Sequence, residues 1–155
     1  MKKRMSFLCA GLCLLLAGCG GGETEAQVRS FTQSDLTTVL ECGAFSEELE
    51  QVDSELICAL YGIEESAVAE CAGYFSTGAT AEELVFFAAA DENGTESIKA
   101  ACELRVEDQI LAYEDYGPAE VEKLENAVLQ VRGNTVLVVV AADGDAVNAA
   151  VDGLK

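Results

Sequence analysis

Two stretches of the 155-residue chain leave it little freedom in how it folds: Leu84 to Ala90, LVFFAAA, and Val136 to Ala141, VLVVVA. Both have strand composition. A half-buried strand alternates apolar and polar residues, because successive side chains point to opposite faces. Here both alternate sets are apolar: Leu84, Phe86 and Ala88 with Val85, Phe87 and Ala89, then Val136, Val138 and Val140 with Leu137, Val139 and Ala141. Strands of this kind are covered on both faces. The fold must therefore place helices above and below one sheet, or leave one face to a partner.

Turn signals give each strand a neighbour. Ala67 to Phe75 and Glu83 to Ala90 flank the turn-rich STGAT, and NAVLQVRG and TVLVVVAAD flank Gly133-Asn134, a two-residue connection suited to a hairpin with positive φ. Helical spacing fills the intervals. Ser34 is placed to cap a short helix carrying Leu36, Val39, Leu40 and Cys42, and DSELICALYG reads as a second, with Asp53 or Ser54 at its start and Gly62 at its stop. After Asn93-Gly94, Thr95 is expected to cap the longest helix, about Glu96 to Tyr116, with Ile98, Ala101, Cys102, Val106, Ile110 and Tyr113 on one stripe. Gly117-Pro118 stops it and opens another turn or two of helix. Asp143 or Asp145 caps a closing helix.

The expected class is α+β: a four-stranded, mainly antiparallel sheet of two hairpins, one long helix between them, a C-terminal helix and two short N-terminal helices. The long and C-terminal helices are assigned to one sheet face. The other face goes to the N-terminal helices, through Leu36, Val39 and Leu40 on Phe87 and Val139, or else to a partner. In the second case Val85, Phe87, Leu137 and Val139 form an exposed interaction face.

The first residues, MKKRMSFLCAGLCLLLAGCGGG, join a basic head to an apolar run shorter than the roughly 20 residues of a membrane-spanning helix. That favours processing over anchoring by a helix. LAGC, Leu16 to Cys19, resembles the lipobox of bacterial lipoproteins, which implies lipidation of Cys19, by palmitate among other chains, and removal of the peptide before it. The expected organisation is a signal peptide over 1–18, a lipidated cysteine and flexible tether over 19–30, and a single α+β domain over 31–155. The membrane is then a partner through the anchor on Cys19, with the domain on the extracytoplasmic face.

Charge narrows the partners. Nine Lys and Arg stand against 28 Asp and Glu, and the net charge of −19 becomes −22 once Lys2, Lys3 and Arg4 leave with the leader. Such a surface repels phosphate backbones and anionic headgroups, and the remaining cations are scattered singly, so nucleic acid is not an expected partner.

Chemistry is narrowed further by the absence of histidine, which removes Ser-His and Cys-His nucleophile pairs and His-containing zinc sites. Paired carboxylates remain: Glu47-Glu48, Glu64-Glu65, Glu82-Glu83, Asp91-Glu92, Glu107-Asp108 and Glu114-Asp115. All six read as solvated element ends or polar faces. DENG at Asp91 to Gly94 fails as a calcium loop, since the sixth position is Glu96 where glycine is required and the twelfth is Cys102. Cys42, Cys58, Cys71 and Cys102 lie in the domain without metal-like spacing; they read as reduced buried thiols, or as two disulfides in any of three pairings.

EELVFF at the second strand, YGP after the long helix and RGNTVLVVV at the last hairpin, behind this leader and tether, resemble the domain-of-unknown-function family 4358 from about Asp35 onward. The resemblance implies small exported lipoproteins of Gram-positive bacteria, with no activity or catalytic residue to transfer. It also implies a place beside envelope acyl-transfer systems, as an accessory of surface-polymer modification machinery. The family's hairpin pattern is Gly-Asn-Tyr, whereas Thr135 follows Gly133-Asn134 here. The functional expectation is a non-enzymatic binding or accessory module of the cell envelope, without cofactor or metal. Its alternative is an envelope enzyme or cation-dependent protein using surface carboxylates.

Overall fold

The computed structural model describes residues 29–155 apart from 79 and 92. Cys19, the leader and most of the tether lie outside the described residues. In chain order the elements are α1 (Asp35–Leu40), β1 (Glu50–Val52), α2 (Ser54–Tyr61), a 3-10 turn, β2 (Val68–Phe75), β3 (Glu83–Ala89), α3 (Gly94–Tyr113), α4 (Pro118–Glu125), β4 (Val128–Arg132), β5 (Thr135–Val140) and α5 (Gly144–Asp152). One antiparallel sheet runs β1-β2-β3-β5-β4. It has five strands rather than four. β1 is three residues long and is held at the edge by pairing Glu50 with Phe75 and Val52 with Gly73.

Both expected hairpins form, β2 with β3 and β4 with β5, and Gly133 takes the positive φ (+58°) that closes the second. β5 is antiparallel to both β3 and β4, so β3 and β4 run parallel. Parallel strands require a long crossover, and α3 with α4 supplies it. This crossover decides which helix covers which face.

On one face α2 and α3 set Ile57, Tyr61, Ile98 and Cys102 against Val85, Phe87, Val136 and Val138. On the other, α1 and α5 set Leu36, Val39, Val147 and Val151 against Leu84, Phe86, Leu137 and Val139. The long and C-terminal helices therefore lie on opposite faces, contrary to the expectation. The crossover and α2 occupy the first face, and the helix leaving β5 takes the face that remains. α4 closes one end, with Leu124 against Val140, Ala81 and the half-buried Val106, Ile110 and Tyr113 of α3.

Local chemistry explains the helix ends. Asp53 accepts from Leu56 N–H and Asp143 from Ala146 N–H, while Gly62 ends α2 in the left-handed conformation at φ +63°. Two expected caps differ. The Ser34 side chain makes no capping bond; Asp35 instead accepts from Thr32 N–H and Oγ1. Thr95 lies within α3, buried, and Asp91 Oδ1 receives the Asn93 and Gly94 N–H groups in its place. Close approach matters at Gly73, where a Cβ would meet Phe75, Val85 and Ile57 at 3.0–3.2 Å, so glycine there lets α2 settle onto β2.

The exposed patch does not form. Val85, Phe87, Leu137 and Val139 are each at most 1% exposed. Moreover, register pairs Leu84 with Val139 and Phe86 with Leu137, so Leu137 and Val139 share the face of Leu84 and Phe86, opposite Val85 and Phe87. Val39 accordingly packs in the cluster of Val139, not that of Phe87.

Candidate functional site

The polar groups that stand out sit where β3 begins. Glu82 and Glu83 are 1% and 3% exposed, against the expectation of a solvated pair. Residues of this type are almost never buried without partners. Adjacent strand positions send their side chains to opposite faces, so each carboxylate meets a separate set of groups.

Glu83 turns toward α2 and α3. Arg105 reaches it with Nη2 at 2.8 Å and with Nε at 3.2 Å from both carboxylate oxygens, and Tyr61 donates its hydroxyl at 2.9 Å. The guanidinium also lies 5.2 Å from the Tyr61 ring centre and 5.9 Å from that of Phe75. Tyr61 in turn meets Phe87 edge to face at 5.1 Å. Burial works to lower the Arg105 pKa, and the Glu83 hydrogen bonds and charge outweigh it, leaving it raised. The Tyr61 phenol is pushed well above its ordinary value, first by burial and then by the Glu83 charge, so it remains a donor.

Glu82 turns toward the loop after α1 and toward α4. It accepts Ser46 N–H at 3.1 and 3.0 Å, Ser46 Oγ at 2.7 Å and Lys123 Nζ at 3.0 Å. Lys123 bridges on to Glu120 at 3.1 Å, and Glu120 accepts the Ala81 N–H at 2.9 Å. Burial opposes the Lys123 charge, yet the two carboxylates hold its pKa above the ordinary lysine value. Thr80 adds a 2.6 Å bond to Glu47. The β2–β3 turn is thus fastened to the residue 46–47 loop and to α4, and the start of β3 to α2 and α3.

Pointing to opposite faces, Glu82 and Glu83 do not converge on one reacting centre as the two carboxylates of a glycosidase must. What they do is join: Glu83 ties α2 and α3 to the start of β3, and Glu82 ties the residue 46 loop and α4 to it. The signal in the sequence was Arg105, three residues after Cys102 on the core-facing stripe of α3, since a cation on a buried stripe calls for a buried acid. The other acidic pairs are mostly solvated. Glu64, Glu65, Glu107, Asp108, Glu114 and Asp115 are exposed, as are Glu48 and Asp91; Glu47 is half-buried, and Glu92 lies outside the described residues.

Three further cations are also engaged. Arg29 pairs with buried Asp35 at 2.6 Å, Lys99 with Glu103 at 2.7 Å, and Arg132 donates to the carbonyls of Val151 and Leu154 while lying 4.4 Å from the Phe31 ring centre. Thr135 accepts the Phe31 N–H and donates to Arg132 O. An open polar groove of about 450 Å³ between α4 and α5 is lined by residues that include Glu122, Lys123, Asn126, Asp143, Asp145 and Asn148. Among the described residues, no group of three or more carboxylates and thiols is arranged to hold a metal ion, and no helix is long and apolar enough to cross a membrane.

Neither the curated proteins nor the solved structures give a match to this chain. A family match spans residues 41–141, from the end of α1 to the end of β5, and so takes in the whole sheet, α2, α3, α4 and both buried glutamates. α1 and α5, the helices of the second face, fall outside it. On this match the chain belongs to the family described as Domain of unknown function (DUF4358).

Proposed function

We propose that the protein is a membrane-tethered extracytoplasmic lipoprotein domain, a non-enzymatic binding or accessory module of the bacterial cell envelope anchored through Cys19. The observation that carries this reading is the use made of charge. Five of the six basic residues outside the leader are bound to acids or carbonyls of the same chain, and the two deeply buried glutamates are each saturated with donors. Interior charge holds the fold together, and the exterior is left strongly acidic. Such a surface favours a partner of basic or neutral polar character and keeps the domain clear of anionic headgroups.

The leader supports the tether, because the basic head and short apolar run fit an exported leader and LAGC resembles a lipobox. Labelling of producing cells with palmitate, comparing the natural chain with Cys19→Ala, tests it. Label on the natural chain and none on an unprocessed Cys19→Ala precursor is the expected result. A mature protein with an unmodified Cys19 thiol would sink the tether. Crosslinking on intact cells then addresses the partner, and turnover of an envelope substrate by the purified protein would favour the enzymatic alternative.

A further inference from the structure

Four free thiols lie in the described residues, and the sheet separates them. Cys42 packs against the cluster built by α1 and α5, on the face opposite the other three. Cys102 is fully buried beneath α3. Cys58 and Cys71 are placed differently. Cys71 pairs with Phe87 across the β2–β3 ladder and so faces α2. Its sulfur lies 3.9 Å from the carbonyl of Ser54, one helical turn before Cys58 on the same side of α2. Both cysteines line one surface cavity of about 270 Å³, together with Ser54, Glu65, Val68 and Glu70. Cys71 is half-buried at its wall and Cys58 lies deeper.

We infer that Cys58 and Cys71 form a dithiol–disulfide pair, closed by exchange with a small-molecule or protein disulfide, that fastens α2 to β2. Of the three pairings open to four cysteines, only the one containing this bond avoids joining thiols across the sheet for either residue. The inference rests on the fold and is independent of the reading of the leader. In the first step the Cys71 thiolate attacks one sulfur of the oxidant RSSR, forming a mixed disulfide and releasing RSH. Cys58 then attacks the Cys71 sulfur and expels the second RSH. Two cysteine thiols are oxidised, one disulfide is reduced to two thiols, and the two cysteine protons end on the released thiols. Burial, followed by the neighbouring Cys58, raises the Cys71 thiol to about 12, and burial raises that of Cys58 as well. Exchange is accordingly slow at neutral pH and speeds up as pH rises.

The test uses the full chain, reduced, held folded in mild detergent and exposed to oxidised glutathione at alkaline pH. Cleavage after glutamates separates the two sites: Leu56 to Glu64 carries Cys58, and Cys71 to Glu82 carries its partner. Mass spectrometry should find these peptides linked in the natural chain and in Cys102→Ser, and unlinked in Cys71→Ser and Cys58→Ser. The half-buried Cys71→Ser is the variant that keeps its fold if Cys58→Ser does not. Linked peptides from the natural chain support the pairing by themselves. Failure to link under these conditions, linkage seen only in urea, or linkage through Cys102 would overturn it.

Discussion

Removing Arg105 tests whether the buried glutamates are fastenings. In Arg105→Ala, Glu83 keeps its position with a side chain only 4% exposed and loses its one cation, retaining the Tyr61 hydroxyl as donor. Stripping one partner from a buried ion pair costs about 3–5 kcal/mol, because the remaining charge is left uncompensated. The surviving Tyr61 bond, and water admitted where the 13%-exposed guanidinium stood, place the expected loss near the lower end, about 3 kcal/mol. For a domain of this size that lowers Tm by roughly 10 °C, and a urea midpoint by about 1.5–2 M at an m-value near 1.5–2 kcal/mol/M. Arg105→Lys keeps the charge and loses the fork and the stacking on Tyr61 and Phe75, for a loss of about 1–2 kcal/mol. Glu83→Leu costs less than Arg105→Ala, since the freed guanidinium can bend toward water. Urea unfolding followed by circular dichroism ranks the three. A loss under about 1 kcal/mol for Arg105→Ala, with unchanged m, would refute the reasoning.

Val39→Asp puts an unpaired carboxylate between α1 and the sheet, where Val39 is fully buried; it should cost more than about 4 kcal/mol and abolish the cooperative melt. Gly73→Ala forces a methyl against Val85 and Ile57 at 3.1 and 3.2 Å and should lower stability by about 1–3 kcal/mol, read as a reduced urea midpoint. The Arg29 hydrogen bonds, against the opposing effect of burial, hold Asp35 at about 2 rather than its ordinary 3.8. A carboxylate depressed in the folded state stabilises above its unfolded pKa and loses that contribution as pH falls through the folded one. Solvent around the half-exposed Arg29 reduces the contribution to about 1 kcal/mol, present above pH 4 and lost toward pH 2, and Arg29→Gln should remove that step from the stability–pH curve.

The hairpins and α2 were legible because their chemistry is local: the STGAT and Gly-Asn turns, an aspartate cap, a glycine stop. The doubly apolar strands also announced helices on both faces. What the sequence concealed was long-range. β1 carries two exposed residues of three and owes its existence to the Phe75 edge of β2, so no periodicity could reveal it. Parity divides β3 and β5 into alternate sets, but only the pairing of Leu84 with Val139 says which sets share a face. Glu82 and Glu83 read as a polar strand end because their cations lie 41 and 22 residues away on other elements. Thr95 and Ser34 have capping chemistry, yet neither side chain caps its helix, and before α3 the role falls to Asp91.

Whether the buried carboxylate site holds the fold or performs chemistry is decided by replacing the ion pair as a whole. Glu83→Leu with Arg105→Leu removes both charges together and leaves apolar side chains in their place, a change that is often neutral or stabilising where loss of one partner is not. The measurement is the double variant's urea midpoint together with its ability to restore the phenotype of a strain lacking the gene, at matched protein levels. A midpoint restored to near that of the natural chain, with full complementation, is the predicted result. A stable, correctly localised double variant that fails to complement would contradict the account and return Glu83 to the status of a reacting group.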